Sequence, residues 1–432
     1  MQVAGATEEP QTLLTPIGYQ PGDCGYCKDA DSGASYYATS KSLAPEHYQI
    51  LMDRGWRRLP ASQFHAGKDQ RQTLHRWNRY VLGEKYMKAL LKKPKTKEEK
   101  ARDKDIFDLS TTVHAPETSN LPYDIETKPD HTFEVKLEYD TFTNEKFDLF
   151  SNYQQNVHHE SPTETTKSGF RRFLCESTLQ RRTDASGKRL GSYHHCYRLD
   201  GRLIAMSVLD LLPHAVSGVY FIYHQDFEKW SLGKLSALRE LALALDEGYE
   251  YYYMGYYIHS CMKMRYKGTY RPQYVLDFDD LEWDLLDDRM KELMEKRKWV
   301  SMSRERVLLR AQASSSSSDV SDVVVVTENG EKKHDVADFY PTYQYPSALE
   351  ATNSGLSLIT LGMPGVMLDP PPNLGRMRLR LGPATPIMRM DDIVAWTMGH
   401  VKDRATIKGI VAELAACLGD EMTRKVVVDF GQ

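Results

Sequence analysis

The sequence predicts an α+β fold, and three patterns carry that expectation. Residues 132–139 alternate as a strand, with Phe133, Val135, Leu137 and Tyr139 on one face. Residues 193–199, 203–211 and 219–223 are further β-type runs, the first two joined by an Asp200-Gly201 hairpin turn. Residues 235–245 then set Leu238, Leu241, Ala242 and Leu245 on one helical face, ahead of a Tyr-rich strand at 251–257. The order β-β-β-α-β is mixed and does not alternate regularly, which favours α+β.

Composition bounds the rest. The chain has 432 residues, enough for two or three domains, and is 41% hydrophobic, enough for real cores. Its net charge of −4 excludes a uniformly basic nucleic-acid binder but leaves room for a local basic face. No run of about 18 apolar residues is present, so no spanning helix and no membrane partner are expected. The longest apolar region, 203–219, is broken by Asp210, Pro213 and His214. The first residues have neither a basic segment nor an apolar one, so no secretory signal is expected. Six cysteines do not make a disulfide scaffold, and a reducing compartment, cytosol or nucleus, is expected.

The domain reading follows composition. Residues 1–17 are polar and expected to be a disordered tail. Residues 18–110 are expected to form a small N-terminal cysteine-containing domain with a basic helix, in which Leu74, Trp77, Val81 and Leu82 recur at helical spacing. From Arg54 to Lys104 there are 16 Lys and Arg against 5 Asp and Glu, a local excess inside an acidic chain. Residues 111–130 read as a Pro/Ser/Thr-rich linker. Residues 131–280 read as the core domain. Residues 281–432 read as a partly disordered, low-complexity extension with a terminal helix carrying Ile407, Ile410, Val411, Leu414 and Leu418.

Four segments could carry chemistry. Cys24-Gly-Tyr-Cys27 can present two thiolates to one metal, but structural zinc or an iron–sulfur cluster needs four ligands, with His47 and His65 as unspecific surrogates. The other reading is two buried or redox-active thiols. Lys68, Arg71 and Arg79 lie at helical spacing beside Trp77, which suits phosphate contact and base stacking or, equally, a solvated face with Trp77 in the core. The turn Ser231 to Gly233 opens a helix whose backbone N–H groups could hold an anion, or is simply a turn. Residues 251–267 combine a high density of Tyr with Lys263, Arg265 and Lys267. They suit a site for a carboxylate and a nucleic-acid end, or a core strand with a basic turn.

The motifs together resemble a known family. The run from Tyr251 to Asp277 resembles the C-terminal half of eukaryotic arginyl-tRNA–protein transferases. So do Gly169-Phe-Arg-Arg-Phe-Leu-Cys175, Tyr197-Arg-Leu-Asp-Gly-Arg202, Val219-Tyr-Phe-Ile-Tyr223 and Trp230-Ser-Leu-Gly-Lys234. Cys24-Gly-Tyr-Cys27, Gly55-Trp-Arg-Arg58 and Lys68-Asp-Gln-Arg71 resemble its N-terminal half. The resemblance implies a GNAT-like acyltransferase domain. That domain would move arginine from arginyl-tRNA to the N-terminal α-amine of proteins starting with Asp, Glu or oxidised Cys, marking them for ubiquitin-dependent degradation. An iron–sulfur cluster or zinc is expected from the family. Here Arg58 runs directly into Leu59-Pro60-Ala61-Ser62, and the family's second Cys pair does not follow, so half the ligand set is missing. No cofactor is required for the chemistry itself.

An aminoacyl ester is already activated, so the site must align it with an amine and stabilise an oxyanion. Tyr256 and Tyr257, beyond the break at Gly255, and His195 are the catalytic candidates, although His194-His195 reads equally as a polar strand pair. Lys263, Arg265 and Lys267, with Arg171 and Arg172 next, would bind the acceptor carboxylate or terminal phosphates. Asp210, Asp277 and the Tyr cluster are candidates for the arginyl guanidinium, and Lys68, Arg71 and Arg79 for the tRNA backbone. If Gly255 ends an extended strand, Lys263, Arg265 and Lys267 project to one side at spacing two. The competing readings are an inactive RNA- or partner-binding paralogue and a CoA-dependent N-acetyltransferase. Trp230-Ser-Leu-Gly-Lys234 lacks the glycine-rich loop favoured by the latter.

Overall fold

The computed structural model describes residues 11–20, 22–23, 35–55, 59–90, 107–297, 300–315, 325–326, 332–333, 352–362 and 365–431. The chain divides into two compact units. One comprises Arg57–Tyr256 and Tyr266–Gln273; the other comprises Met1–Trp56, Tyr257–Arg265 and Tyr274–Gln432.

The first unit is built on a mixed sheet. Its elements in chain order are β1 (Leu59–Pro60), α1 (Lys68–Leu90), α2 (Leu109–His114), β2 (Phe133–Tyr139), α3 (Asn144–Val157), β3 (Arg189–Leu199), β4 (Arg202–Leu211), β5 (Ala215–Tyr223), α4 (Leu232–Asp246) and β6 (Tyr251–Tyr253). The spatial order is β1-β6-β5-β4-β3-β2, with Arg182–Thr183 paired onto β3. Four neighbour pairs are antiparallel, and β5 and β6 are parallel, joined by the α4 crossover that parallel pairing requires. The expected hairpin is present: Asp200 and Gly201 both take positive φ, at 51° and 80°. The Asp200 carboxylate accepts from the Thr132 backbone N–H at 2.8 Å and from His131 Nδ1 at 2.7 Å, which fastens the turn to β2.

α4 buries Leu235, Leu238, Leu241 and Ala242 against the sheet, while Leu245 at its last turn is exposed. On the same core, α1 buries Leu74, Trp77 and Val81. Gly83 interrupts α1 at φ +76°; a Cβ there would lie 2.1 Å from the Asp130 carboxyl. Asp130 and His131 donate their backbone N–H groups to the Leu82 and Val81 carbonyls at that point. Only glycine admits both the conformation and the crossing chain.

The second unit contains a five-stranded sheet. Strand Thr12–Gln20 pairs parallel with Val426–Asp429 and antiparallel with Ser35–Ser42; Arg378–Arg380 and Met388–Arg389 extend the other side. Helices Ile407–Leu418 and Asp420–Lys425 pack Val411, Leu414, Leu418 and Met422 with Leu14, Leu379 and Val428. The same unit holds the hairpin Tyr274–Leu276/Trp283–Leu285 and helices Asp288–Lys296 and Met302–Ser315.

Several expectations change here. Residues 12–17, expected to be disordered, are strand, because Leu13 and Leu14 are buried against the C-terminal valines. The expected 18–110 domain is divided, since Trp77 and Val81 bring the basic helix into the sheet unit. Residues 111–130 are not a plain linker: α2 buries Val113 in the same core, and Asn78 donates to the Thr112 carbonyl at 2.8 Å. Within the expected low-complexity extension, 365–431 supplies three strands of the five-stranded sheet and, beside the expected terminal helix Ile407–Leu418, helix Asp420–Lys425, in a core shared with Leu14.

Candidate functional site

β5 and β6 pair only over Ala215, Val216 and Ser217 with Tyr251, Tyr252 and Tyr253. β6 then ends, and β5 runs on from Gly218 to Tyr223, paired on its other side with β4. Among the described residues, that stretch of β5 has no strand partner on the β6 side. Two neighbouring strands thus part at Gly218, leaving backbone amides along one edge.

A buried polar cluster sits beneath the parting. The Glu240 carboxylate, on α4, accepts from Ser207 Oγ at 2.7 Å, from Tyr252 Oη at 2.5 Å and from Ser236 Oγ. A Cβ on Gly218 would lie 3.0 Å from Glu240 Oε2 and 3.4 Å from Tyr252 Oη, so this strand position is held small by the acid below it. Burial raises the Glu240 carboxyl, and the three hydroxyl donors oppose that. Lys267 closes the segment after β6: its Nζ donates to the Met254 carbonyl at 2.8 Å and the Tyr256 carbonyl at 3.2 Å. It therefore fixes backbone at the parting, where an extended reading would have aimed it outward.

The other unit holds a second cluster. Tyr257 Oη lies 2.8 Å from His259 Nδ1, and His259 Nε2 lies 2.9 Å from Glu295 Oε1 on helix Asp288–Lys296. Arg265 Nε donates to the His259 carbonyl at 2.8 Å, and its Nη2 is 3.6 Å from the same Glu295 oxygen. The hydrogen bond from His259 is the main influence holding the Glu295 carboxyl below its ordinary value, with Arg265 adding to it.

The expected strand at 251–257 stops at Tyr253. Tyr256 and Tyr257 therefore do not alternate across a strand. Lys263, Arg265 and Lys267 do not project together either: Met262–Arg265 is a helical turn and Tyr266–Thr269 a 3₁₀ turn, because the backbone closes on itself after Cys261. The Lys263 side chain lies outside the described residues. Tyr256 is exposed.

His195 and Asp210 lie in the sheet core. Burial lowers the His195 imidazole to about 3, and its Nδ1 is 3.4 Å from Tyr197 Oη. Burial likewise raises the Asp210 carboxyl to about 7, opposed by a hydrogen bond from Ser192. A shielded, neutral imidazole and a buried carboxyl are poorly placed to meet substrate, which corrects both expectations. Asp277 is also buried; it accepts from Ser301 Oγ at 3.0 Å and the Ser303 N–H at 2.7 Å, as a local cap. Arg171 and Arg172 are exposed on the short helical segment after Gly169, with Arg171 3.8 Å from the centroid of the Phe142 ring. On α1, Lys68 and Arg79 are exposed, and Arg71 donates Nε to the Ala66 carbonyl at 2.8 Å. Trp77 is 2% exposed, so it packs and offers no base-stacking face.

Cys24 and Cys27 lie outside the described residues. Among the described residues, no group of three or more His, Cys, Asp or Glu side chains is placed to hold a metal ion. Of the surrogates, His47 hydrogen-bonds Thr12 Oγ1 and His65 the Gln63 carbonyl. The described residues do not complete a ligand set for zinc or a cluster, and no chemical step is derived through one. No described helix is long and apolar enough to cross a membrane.

Sequence reasoning missed Glu240, His259 and Glu295. His259 stood inside the Tyr-rich motif and was within reach of inspection. Glu240 and Glu295 carry no local signal, because what marks them is the partner each meets across the fold.

Comparison with known proteins gives these segments a context. Residues 22–65 match the family model described as "Arginine-tRNA-protein transferase, N terminus", and residues 145–277 match "Arginine-tRNA-protein transferase, C terminus". Arginyl-tRNA–protein transferase 1 of Arabidopsis thaliana is 35% identical over 213 residues, 47% of this chain and 33% of that protein. The protein of the same name in Saccharomyces cerevisiae is 39% identical over 165 residues, 34% of this chain and 32% of that protein. An aspartate/glutamate leucyltransferase of Pseudomonas fluorescens is 36% identical over 132 residues, 30% of this chain and 52% of that protein. The chain spans about a third of the length of the two eukaryotic relatives.

Proposed function

We propose that this chain, which carries the N- and C-terminal segments of the arginine-tRNA–protein transferase family, transfers arginine from arginyl-tRNA to the N-terminal α-amine of acceptor proteins. The acceptors begin with Asp, Glu or oxidised Cys, and the added arginine marks them for ubiquitin-dependent degradation. The observation that carries this reading is the match of residues 145–277, the region that builds the parting strands, to the transferase C terminus. The name of the bacterial relative, an aspartate/glutamate leucyltransferase, supports an acidic acceptor residue.

The geometry suits the chemistry. The sheet is read as GNAT-like, with the donor ester at the parting of β5 and β6. The backbone N–H groups of β5 beyond Ser217 would stabilise the oxyanion there. Lys267 and the Glu240 cluster keep that edge rigid, which holds ester and amine in line. The attacking α-amine has an ordinary pKa of about 7.7–8, so much of it is neutral near pH 7. The acceptor carboxylate calls for a fork of donors, for which Arg265, half-exposed, is the first candidate, followed by Lys263, Arg171 and Arg172. Cys24 and Cys27 supply at most half of a four-ligand metal site.

The deciding experiment is transfer of labelled arginine from arginyl-tRNA to a peptide with N-terminal Asp. Label should enter that peptide, should not enter its N-acetylated form, and should be lost after RNase treatment of the tRNA. A folded, soluble chain that labels neither peptide overturns the reading.

The basic helix is proposed as the tRNA contact. Lys68, Arg71 and Arg79 all lie on the part of α1 before Gly83. Reversing all three to Glu should weaken tRNA binding and flatten its salt dependence by about 0.7–0.9 in log–log slope for each phosphate left without its cation. Unchanged affinity and slope in the folded triple variant would move the tRNA contact elsewhere.

A further inference from the structure

We propose that Phe173, with Arg171 and Arg172 beside it, binds the single-stranded 3′ end of the aminoacyl-tRNA. One base stacks on the Phe173 ring, and the two arginines hold the phosphates next to it. The identity of this ligand rests on the transferase reading above. The platform itself lies wholly within the sheet unit, to which all three residues belong.

Local packing turns this segment outward. Phe170 and Leu174, four residues apart, are both buried against α3 and the sheet. The Leu174 carbonyl accepts from His194 Nε2 of β3 at 2.8 Å, which ties the helical turn to the sheet. The three residues between these anchors, Arg171, Arg172 and Phe173, are left exposed. Phe173 keeps 58% of its surface in water. Among the described residues, neither arginine forms an ion pair, and the Arg171 guanidinium rests on the Phe142 ring.

A single exposed phenylalanine is ordinary on a protein surface. This one ends a line of rings that leads to the strand carrying the parting. Phe173 meets Tyr220 edge to face at 5.2 Å, Tyr220 meets Tyr153 of α3 at 6.3 Å, and Tyr153 meets Tyr223 at 5.2 Å. Tyr220 and Tyr223 lie on β5, in the stretch beyond its pairing with β6. Tyr220 is itself held, with Gln154 Oε1 and His158 Nε2 each 3.3 Å from its hydroxyl. The edge contact braces the Phe173 ring and leaves more than half of the side chain bare, as a stacking base requires.

The combination selects the ligand. An acceptor peptide presents one acidic side chain, for which one guanidinium fork suffices. Two adjacent guanidiniums beside a bare ring match the repeat of a single strand, which offers a phosphate for each unpaired base. The 3′ end of a tRNA is such a strand, and its terminal ribose carries the ester that the transferase reading sets against β5. Arg171 and Arg172 thereby pass from candidates for the acceptor carboxylate to phosphate contacts.

The test is equilibrium binding of the full chain to intact uncharged tRNA and to the same tRNA trimmed of its unpaired 3′ nucleotides. The wild type should prefer the intact form. Phe173→Ala should lose about tenfold in affinity for it, the size of one base–aromatic stack, and should bind the trimmed form as the wild type does. Phe173→Tyr should keep the preference. Phe173→Leu should lose it, since leucine has bulk without a π-face. Arg171→Gln and Arg172→Gln should each flatten the log–log salt slope on the intact form by about 0.7. Equal wild-type affinity for the two forms overturns the proposal, as does an unchanged preference in folded Phe173→Ala. A Phe173→Ala loss confined to peptide KM during transfer also overturns it and marks an acceptor-peptide surface instead. A wild type that prefers intact tRNA through Phe173 yet transfers no arginine overturns the transferase reading and leaves the platform standing.

Discussion

Arg239→Ala should destabilise the sheet unit by about 3–5 kcal/mol, because it leaves a buried carboxylate without its cation. Arg239 lies on α4 and is 3% exposed. Its Nη1 meets Glu117 Oε1 at 2.5 Å, its Nη2 donates to the Val113 carbonyl at 2.7 Å, and its guanidinium lies 4.9 Å from the centroid of the Phe133 ring. One side chain thereby joins α4, α2 and the turn after α2. Denaturant unfolding followed by circular dichroism would measure the loss. Changing both partners, Arg239→Met with Glu117→Gln, should recover much of it, since neither charge then stays buried alone. A cost below about 1 kcal/mol, the range of an exposed pair, would show that water reaches the site.

The same cluster sets an acid limit. Burial by itself would raise the Glu117 carboxyl, but His114 and Arg239 outweigh burial and hold it below its ordinary value. A depressed carboxylate stabilises the fold above its unfolded pKa of about 4.3, and that contribution is lost as pH falls through the lower folded value. Without Arg239, the folded value rises, so acid unfolding of Arg239→Ala should begin at higher pH than in the wild type. His114 works in the opposite sense. Its hydrogen bond to Glu117 raises it, so its contribution is present below about pH 6.5 and fades as pH rises through the folded value.

Trp77→Ala should cost about 3–5 kcal/mol through the cavity it leaves. The Trp77 ring lies edge-on to Phe133 at 5.3 Å and to Trp230 at 5.8 Å, and Tyr80 is tilted against it at 5.6 Å. These contacts mount the basic helix on the sheet. On the proposed tRNA contact through α1, the variant should therefore lose stability and tRNA affinity together, whereas charge reversal of Lys68, Arg71 and Arg79 should lose affinity alone. Differential unfolding curves and tRNA titrations on the two variants make the comparison. A Trp77→Ala protein with wild-type stability would mean that α1 is not seated by this residue.

The contrast between Trp77 and its neighbours shows how far the sequence could be read. The spacing of Leu74, Trp77 and Val81 predicted a buried helical stripe, and all three are buried. The same spacing left open whether the indole was core or stacking platform, and only the rings of Phe133 and Trp230 decide that. Similarly, alternation predicted β2, and pattern with turn chemistry predicted the β3–β4 hairpin, because period and punctuation are local properties of the chain. The Tyr-rich strand was read four residues too long. Its tyrosines favour extended backbone, but a strand persists only where a neighbour supplies hydrogen bonds, and β5 parts from it after Tyr253.

What the sequence determined by itself was therefore α1, strands β2 to β5, α4 and the start of β6, in that order, and the motifs shared with a transferase family; α2, inside the expected linker, was not among them. All of these reside in short windows: hydrophobic period, turn residues and runs of characteristic side chains. Partnership was decided by the tertiary structure alone. Thr15 donates its hydroxyl to the Asp429 carbonyl across 414 residues, and strand Thr12–Gln20 lies parallel to Val426–Asp429. Glu240 meets Ser207 and Tyr252, and His259 meets Glu295 36 residues on. A hydrophobic stripe states that a face will be buried without stating against what, and an isolated acid carries no mark of its future partner. Burial, register and charge pairing are settled only when distant segments compete for the same surface, and that competition is what places the cations, carboxylates and hydroxyls of a site.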